Sequence, residues 1–279
     1  MNKTIDSAMT AIMEIENVMK TSSKHKNNST VHSKTFLFCV LMVFVSLSAS
    51  AITKENADTE YKRGNYQQAI KDYEELLKKG VNADLYYNLG NAYYRTDNIT
   101  QAILAYERAL MLSPGDDDIR FNLQFATSKT IDKITPESEM FFVTWYHSLV
   151  NFTSVDNWAV MAIASIVLVL LLVLMFLFGP NELLRKIGFY GGCLFFVLFV
   201  FCNFFAYQQK NNLQNRTAAI VIAPSVTVKK TPANGSADEF VIHEGTKVDI
   251  TDKGLKDWRG IRLADGREGW LKTRQIEEI

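Results

Sequence analysis

Two uncharged apolar runs, separated by one short connector, constrain this 279-residue chain more tightly than any other feature. Trp158–Phe178 and Ile187–Tyr207 each hold about 21 residues, and at about 1.5 Å rise per residue a helix of that length covers roughly 31 Å, the depth of a bilayer's hydrocarbon. The connector "GPNELLRK", Gly179 to Lys186, is too short to be a domain. The pair predicts an antiparallel transmembrane hairpin over 158–207 (spans 158–178 and 187–207), with ordinary soluble sequence on either side.

A third apolar run, "TFLFCVLMVFVSLSASA" from Thr35 to Ala51, has a different fate. Its apolar core is short for a span, Lys20, Lys24, Lys26 and Lys34 precede it, and it ends in Ala49-Ser50-Ala51. A positive start, a short apolar stretch and a small-x-small end make a secretory signal with cleavage after Ala51, an uncleaved anchor being the alternative. Residues 1–51 are thus read as an N-terminal extension with a signal peptide. Export of Ile52 onward runs the first span outward-to-inward and leaves Arg185 and Lys186 in the cytoplasm, in agreement with the positive-inside bias. Both soluble regions then lie outside the cytoplasmic membrane. Gly188 and Gly192 form a GxxxG pair, which is either a face for another helix or the ordinary glycine content of a membrane helix.

Charge and cysteine usage exclude some functions. Lys and Arg against Asp and Glu give 10 − 12 = −2 over Ile52–Thr130 and 10 − 10 = 0 over Thr217–Ile279. Neither soluble piece has the positive excess that a nucleic-acid surface needs. Those pieces contain no cysteine, so hydrophobic cores must hold them without disulfides. Cys193 and Cys202, nine residues apart on a helix, face opposite sides and cannot join as a disulfide or a metal site.

Between the signal and the hairpin the chain repeats itself. "KRGNYQQAIKDYEELLK" (Lys62–Lys78) aligns with "RTDNITQAILAYERALML" (Arg95–Leu112), so that Ala69 and Ala102 are 33 residues apart, as are Tyr73 and Tyr106. Tyr86, Leu89, Gly90, Tyr93, Ala102, Tyr106, Ala109 and Pro114 stand at eight positions whose pattern resembles the tetratricopeptide repeat family. Small Gly90 and Ala102 mark helix crossings, Tyr86 and Tyr93 are packing residues, Asn88 bonds between repeats, and Pro114 stops a helix. The resemblance implies an all-α array over 52–130 whose first helices line an inner groove. It exposes Tyr87, Asn91, Tyr94 and Arg95 there; Asn91 and Arg95, one turn apart, suit a peptide carbonyl or carboxylate, against the plainer reading of a solvated face. The third unit, "DIRFNLQFATSK", is a single capping helix, so two repeats and a cap call for a partner or a second copy to complete the stack.

"MFFVTWYHSLVNF" (Met140–Phe152) is aromatic but too short to span, and with Trp145, Tyr146 and Trp158 it predicts an interfacial stretch within a juxtamembrane segment, 131–157. After the hairpin, residues 217–279 alternate short β-rich runs with turn residues, which predicts a small all-β barrel. "WRGIRLADGREGWLKTRQIEEI" and "IHEGTKVDI" resemble bacterial SH3-like domains, with tight turns at Gly245 and Asp265-Gly266. The resemblance makes Trp258 the exposed ligand-binding candidate and Trp270 a core residue, for peptides or peptidoglycan fragments; a module with no ligand is the alternative.

His25, His32, His147 and His243 lie in unrelated segments, and no phosphate loop, dinucleotide fingerprint or HExxH is present. No catalytic, metal or cofactor constellation is expected, so the chain reads as a non-enzyme. The order of signal, repeat array, two-span hairpin and SH3-like end resembles the BatE-type proteins of the Bacteroides aerotolerance operons over roughly residues 52–279. That resemblance implies a scaffold in the inner membrane of a bacterium, its soluble domains in the periplasm. It also implies envelope-stress partners such as membrane-anchored von Willebrand A-domain proteins. The second reading is a cell-wall sensor whose SH3-like end grips peptidoglycan.

Overall fold

Helices of the repeat region start where the sequence supplies caps. The computed structural model describes Met13 and residues 53–279 apart from 139, 215 and 216; the expected signal, 35–51, lies outside the described residues. α1 (Lys54–Lys62) and α2 (Tyr66–Lys79) form the first repeat, α3 (Ala83–Arg95) and α4 (Ile99–Leu112) the second, and α5 (Asp117–Thr127) follows alone. Thr53, Asn82, Asn98 and Asp116 each accept a first-turn backbone N–H, which satisfies a donor that the helix itself leaves open. α4 ends at Leu112, one residue short of the Ser113-Pro114 stop.

Packing follows the small residues. A Cβ on Gly90 would come within 2.6 Å of the Tyr106 ring, so only glycine lets that buried ring lie across α3. Ala57, Ala69, Tyr73, Ala92 and Ala105 fill the first inter-helix core. Asp58 ties the repeats together: its carboxylate accepts from Tyr73 Oη at 2.6 Å, Asn88 Nδ2 at 3.3 Å and Lys54 Nζ at 2.8 Å. Burial alone would raise the Asp58 pKa, but the bonds from Lys54 and Tyr73 outweigh it and hold the carboxyl below its ordinary value.

α6 (Phe141–Val150) leads into two long apolar helices, α7 (Val155–Phe178) and α8 (Glu182–Gln214), each long and apolar enough to cross a membrane. Their pairing is antiparallel, since Trp158 near the start of α7 meets Phe205 near the end of α8 at 5.1 Å between ring centroids. At the other end a Cβ on Gly188 would lie 2.7 Å from the Leu172 carbonyl and the Phe176 amide. Gly188 therefore serves the hairpin's own close contact, which decides the reading the sequence left open for that glycine. Trp145 is exposed, whereas Trp158 is only 5% exposed and donates its indole N–H to the Val150 carbonyl at 3.1 Å.

The C-terminal strands are β1 (Ala218–Val221), β2 (Ser225–Lys229), β3 (Asp238–His243), β4 (Lys247–Asp252), β5 (Trp258–Arg262), β6 (Glu268–Lys272) and β7 (Ile276–Glu278). They form one antiparallel sheet in the order β3-β2-β6-β5-β4-β1-β7, and Gly245 and Gly266 supply the left-handed turn residues. The expected barrel is not closed: β3 and β7 end the sheet without a ladder between them. Burial that closure would have supplied comes partly from elsewhere in the chain. Ile134 packs against the sheet core, and the Glu137 amide donates to the Ala264 carbonyl at 2.9 Å. Residues 132–137 of the expected juxtamembrane segment thus strap the sheet. Asp132 accepts from the His243 amide at 2.6 Å and from Thr246 Oγ1 at 2.6 Å, and it lies 2.9 Å from His243 Nδ1.

Array and sheet share a core. Ile220 of β1 and Ile279 are buried among Ala102, Ile103, Tyr106 and Ala109 of α4, while Ala219 and Val221, on the opposite face of the same strand, point into the sheet's own core. Lys247 Nζ meets Glu107 at 2.7 Å and Arg108 meets Glu277 at 3.0 Å around this seam. The cover that two repeats and a cap need on this side is therefore the chain's own sheet.

Candidate functional site

The four residues expected on an inner groove lie on α3, and the structure divides them. Tyr87 and Asn91 are half-buried and tied inward: Asn122 Nδ2 donates to Tyr87 Oη at 2.9 Å and to Asn91 Oδ1 at 3.1 Å. Asn91 Oδ1 also accepts from Tyr106 Oη at 2.7 Å, so its carbonyl is committed within the array. The anticipated Asn91–Arg95 clamp is reduced to Arg95, which is exposed. The Tyr61 hydroxyl beside Arg95 holds its guanidinium above the ordinary pKa.

Tyr94 belongs to a larger surface. Its ring lies 5.6 Å from Phe125, which stacks on Phe121 at 6.4 Å, and the Lys129 ammonium sits 5.2 Å from the Tyr94 centroid and 5.7 Å from that of Phe125. Contact with the Tyr94 hydroxyl raises the Lys129 pKa. Phe121 is 67% exposed and Phe125 50% exposed. Sequence reasoning assigned α5 only a capping role and missed Phe121, Phe125 and Lys129. The signal was there: phenylalanines at i and i+4 on a helix with no following partner helix make an apolar stripe without a home. The surface joins aromatic area to two cations, Arg95 and Lys129, and suits a segment with an apolar side chain and a carboxylate.

A second concavity of about 1100 Å³ opens where α4, α6, the end of α8 and the sheet meet. His147, Asn151, Asn212 and Asp249 line it, and its charged walls are largely self-paired, Lys247 with Glu107 and Arg120 with Asp117 at 2.5 Å. Trp258, the expected ligand contact of the sheet, is half-buried at the start of β5 with Lys272 Nζ 5.7 Å from its ring. Trp270 departs from expectation. Leu271 is the buried core residue of β6, and the pleat turns its neighbour Trp270 away from that core. Among the described residues no three His, Cys, Asp or Glu side chains gather as a metal site.

Paired antiparallel helices with small residues at their crossings, followed by a helix with an open aromatic face, define a helical-repeat interaction module. Residues 55–117 match the tetratricopeptide repeat family, so α1 to α4 carry the repeats that the spacing of Ala69, Tyr73, Ala102 and Tyr106 announces. No curated protein matches the chain. Tetratricopeptide repeats point to binding of protein partners.

Proposed function

We propose that the chain is a non-enzymatic adaptor, anchored in a bacterial inner membrane by α7 and α8, that holds a protein partner on its periplasmic side. The observation that carries this reading is the Tyr94–Phe121–Phe125–Lys129 surface, an aromatic and cationic face left open on the groove side of the array. The seam between α4 and β1 supports the topology: an array and a sheet that share a core must lie on one side of a bilayer, as an even number of spans requires. The resemblance to BatE-type proteins makes membrane-anchored von Willebrand A-domain proteins the partners to test, in an envelope complex of the aerotolerance type. Anchoring both molecules in one membrane raises their effective mutual concentration, to about millimolar for short flexible tethers.

The C-terminal sheet is read as an SH3-like module in service of the same assembly. Trp258 is not fully buried and lies beside Lys272, which keeps a peptidoglycan contact as the second reading. A photo-crosslinker at residue 125, placed in the full chain in its native membrane, tests the groove. Crosslinks to an A-domain protein that disappear with Phe121→Ser support the adaptor. Crosslinks that persist unchanged reject this surface, and retention of the chain by purified sacculi through Trp258 would favour the wall-binding reading. Cleavage of both soluble regions by protease added to spheroplasts checks the topology.

A further inference from the structure

Resting on the membrane-spanning reading, a polar side chain on the lipid side of α8 carries a further inference. Asn203 is the single amide within Ile187–Tyr207, lies four residues inside Tyr207, and is exposed. Four residues of helix are about 6 Å, which places the amide within the hydrocarbon rather than among headgroups. Its Nδ2 donates to the Phe199 carbonyl of its own helix at 2.8 Å, and among the described residues Oδ1 has no donor. In hydrocarbon no water relieves an unmet acceptor, so such an amide seeks a partner on another helix.

Within the hairpin that partner is absent. The side of α8 that meets α7 is marked by Gly188, Cys202 and Phe205, with Gln209 beyond them bonded to the Val150 and Thr153 carbonyls. At about 100° per residue Asn203 is turned roughly a quarter of the circumference away, on a stripe with Phe196, Val200 and Tyr207. Those three are 52%, 51% and 69% exposed.

We infer that this stripe is the contact between two copies of the chain, with the two Asn203 amides hydrogen-bonded across a two-fold axis. A second copy is the occupant that the chemistry selects, because an amide carries both a donor and an acceptor and is complementary to itself. Two identical helices related by a two-fold bring the same residue face to face. Gly188, which by sequence alone was a candidate for such a contact, is already spent against α7. The groove and the sheet stay free to bind partners, so the dimer doubles the number of grooves in one assembly.

The test uses the full chain in native membranes, with Cys39, Cys193 and Cys202 changed to Ala and one cysteine introduced at a time. Oxidation with copper phenanthroline should give a disulfide-linked dimer with Val200→Cys. It should give little with Phe201→Cys, at the same depth on the far side of the helix. Adding Asn203→Leu to the Val200→Cys chain should lower the dimer yield at least fivefold, whereas Asn203→Gln should preserve it. Alkaline carbonate washing is run in parallel on every variant. Retention of the chain with no dimer, with equal yields at 200 and 201, or with a product containing a different protein overturns the dimer alone. Release by carbonate overturns the membrane reading and the dimer together.

Discussion

Arg108 on α4 reaches the end of the sheet: its guanidinium lies 3.0 Å from the Glu277 carboxylate and 2.7 Å from the Glu278 carbonyl. The pair stands at the rim of a seam whose interior is apolar, where Ile220 is fully buried against the array. The two kinds of contact are expected to differ in weight. Arg108 is 27% and Glu277 39% exposed at the side chain, so Arg108→Ala should cost about 1 kcal/mol or less, with solvent screening most of the attraction. Ile220→Ala removes buried carbon on the array side and should cost about 2–5 kcal/mol. Denaturation of the detergent-solubilised chain, followed by circular dichroism, should show array and sheet losing stability together in Ile220→Ala. Loss confined to the sheet would mean that the seam does not couple them.

Gly90→Ala should destabilise the array, although alanine is the better helix former by about 1 kcal/mol. The new methyl meets the Tyr106 ring, which is only 2% exposed and has nowhere to retreat. Overpacking of this kind typically costs about 1–3 kcal/mol, which exceeds the propensity gain. A lowered denaturation midpoint for Gly90→Ala, partly restored by adding Tyr106→Leu, checks the argument.

Asn91 and Arg95 should separate into structure and binding. Removing the Asn91 carbonyl strands the Tyr106 hydroxyl, and Asn91→Ala should cost about 1–3 kcal/mol of stability. Exposed Arg95→Ala should leave stability within about 0.5 kcal/mol while weakening capture of an acidic partner segment. Thermal melts and partner crosslinking on the two single variants distinguish these roles, and equal melting loss from both would refute the division.

Acid should loosen the strap between array and sheet. Burial would raise the Asp132 carboxyl, but hydrogen bonds from Thr246 and His243 hold it below its ordinary value. A carboxyl depressed in the folded state binds protons more readily when unfolded. Its stabilisation is therefore complete above the unfolded value of about 3.9 and is lost as pH falls through the folded one. Asp132→Asn should cost about 1.5–3 kcal/mol at neutral pH, the range for hydrogen bonds to a charged group. The gap between wild type and variant should shrink as pH drops below about 4. Urea titrations at pH 7 and pH 3 measure it; a gap independent of pH would show that the Asp132 charge contributes nothing.

Much of this was legible along the chain because it depends on local periodicity. Ala69, Tyr73, Ala102 and Tyr106 recur at fixed spacing, and Gly245 and Gly266 mark turns that only φ above zero permits. The candidate surface was legible only in part. The resemblance to tetratricopeptide repeats singled out Tyr94 and Arg95 as candidates, but the internal bonds of Asn91 and the neighbours Phe125 and Lys129 depend on how α5 lies against α3. That placement is a fact of packing between segments and leaves no trace in the spacing of either one.

Sequence by itself determined the order of the elements: a repeat array, two apolar helices and a run of β-strands, each written in its own hydrophobic period. Tertiary structure alone decided that Ile220 faces the array while Ala219 and Val221 face the sheet. It also decided that Ile134 helps to cover an unclosed sheet, and that Gly188 packs inside the hairpin and leaves Asn203 turned outward. The physical reason is one of range. Periodicity says which face of an element is apolar, but which other element covers that face is set by burial among residues far apart in the chain, such as Ile103 and Ile220.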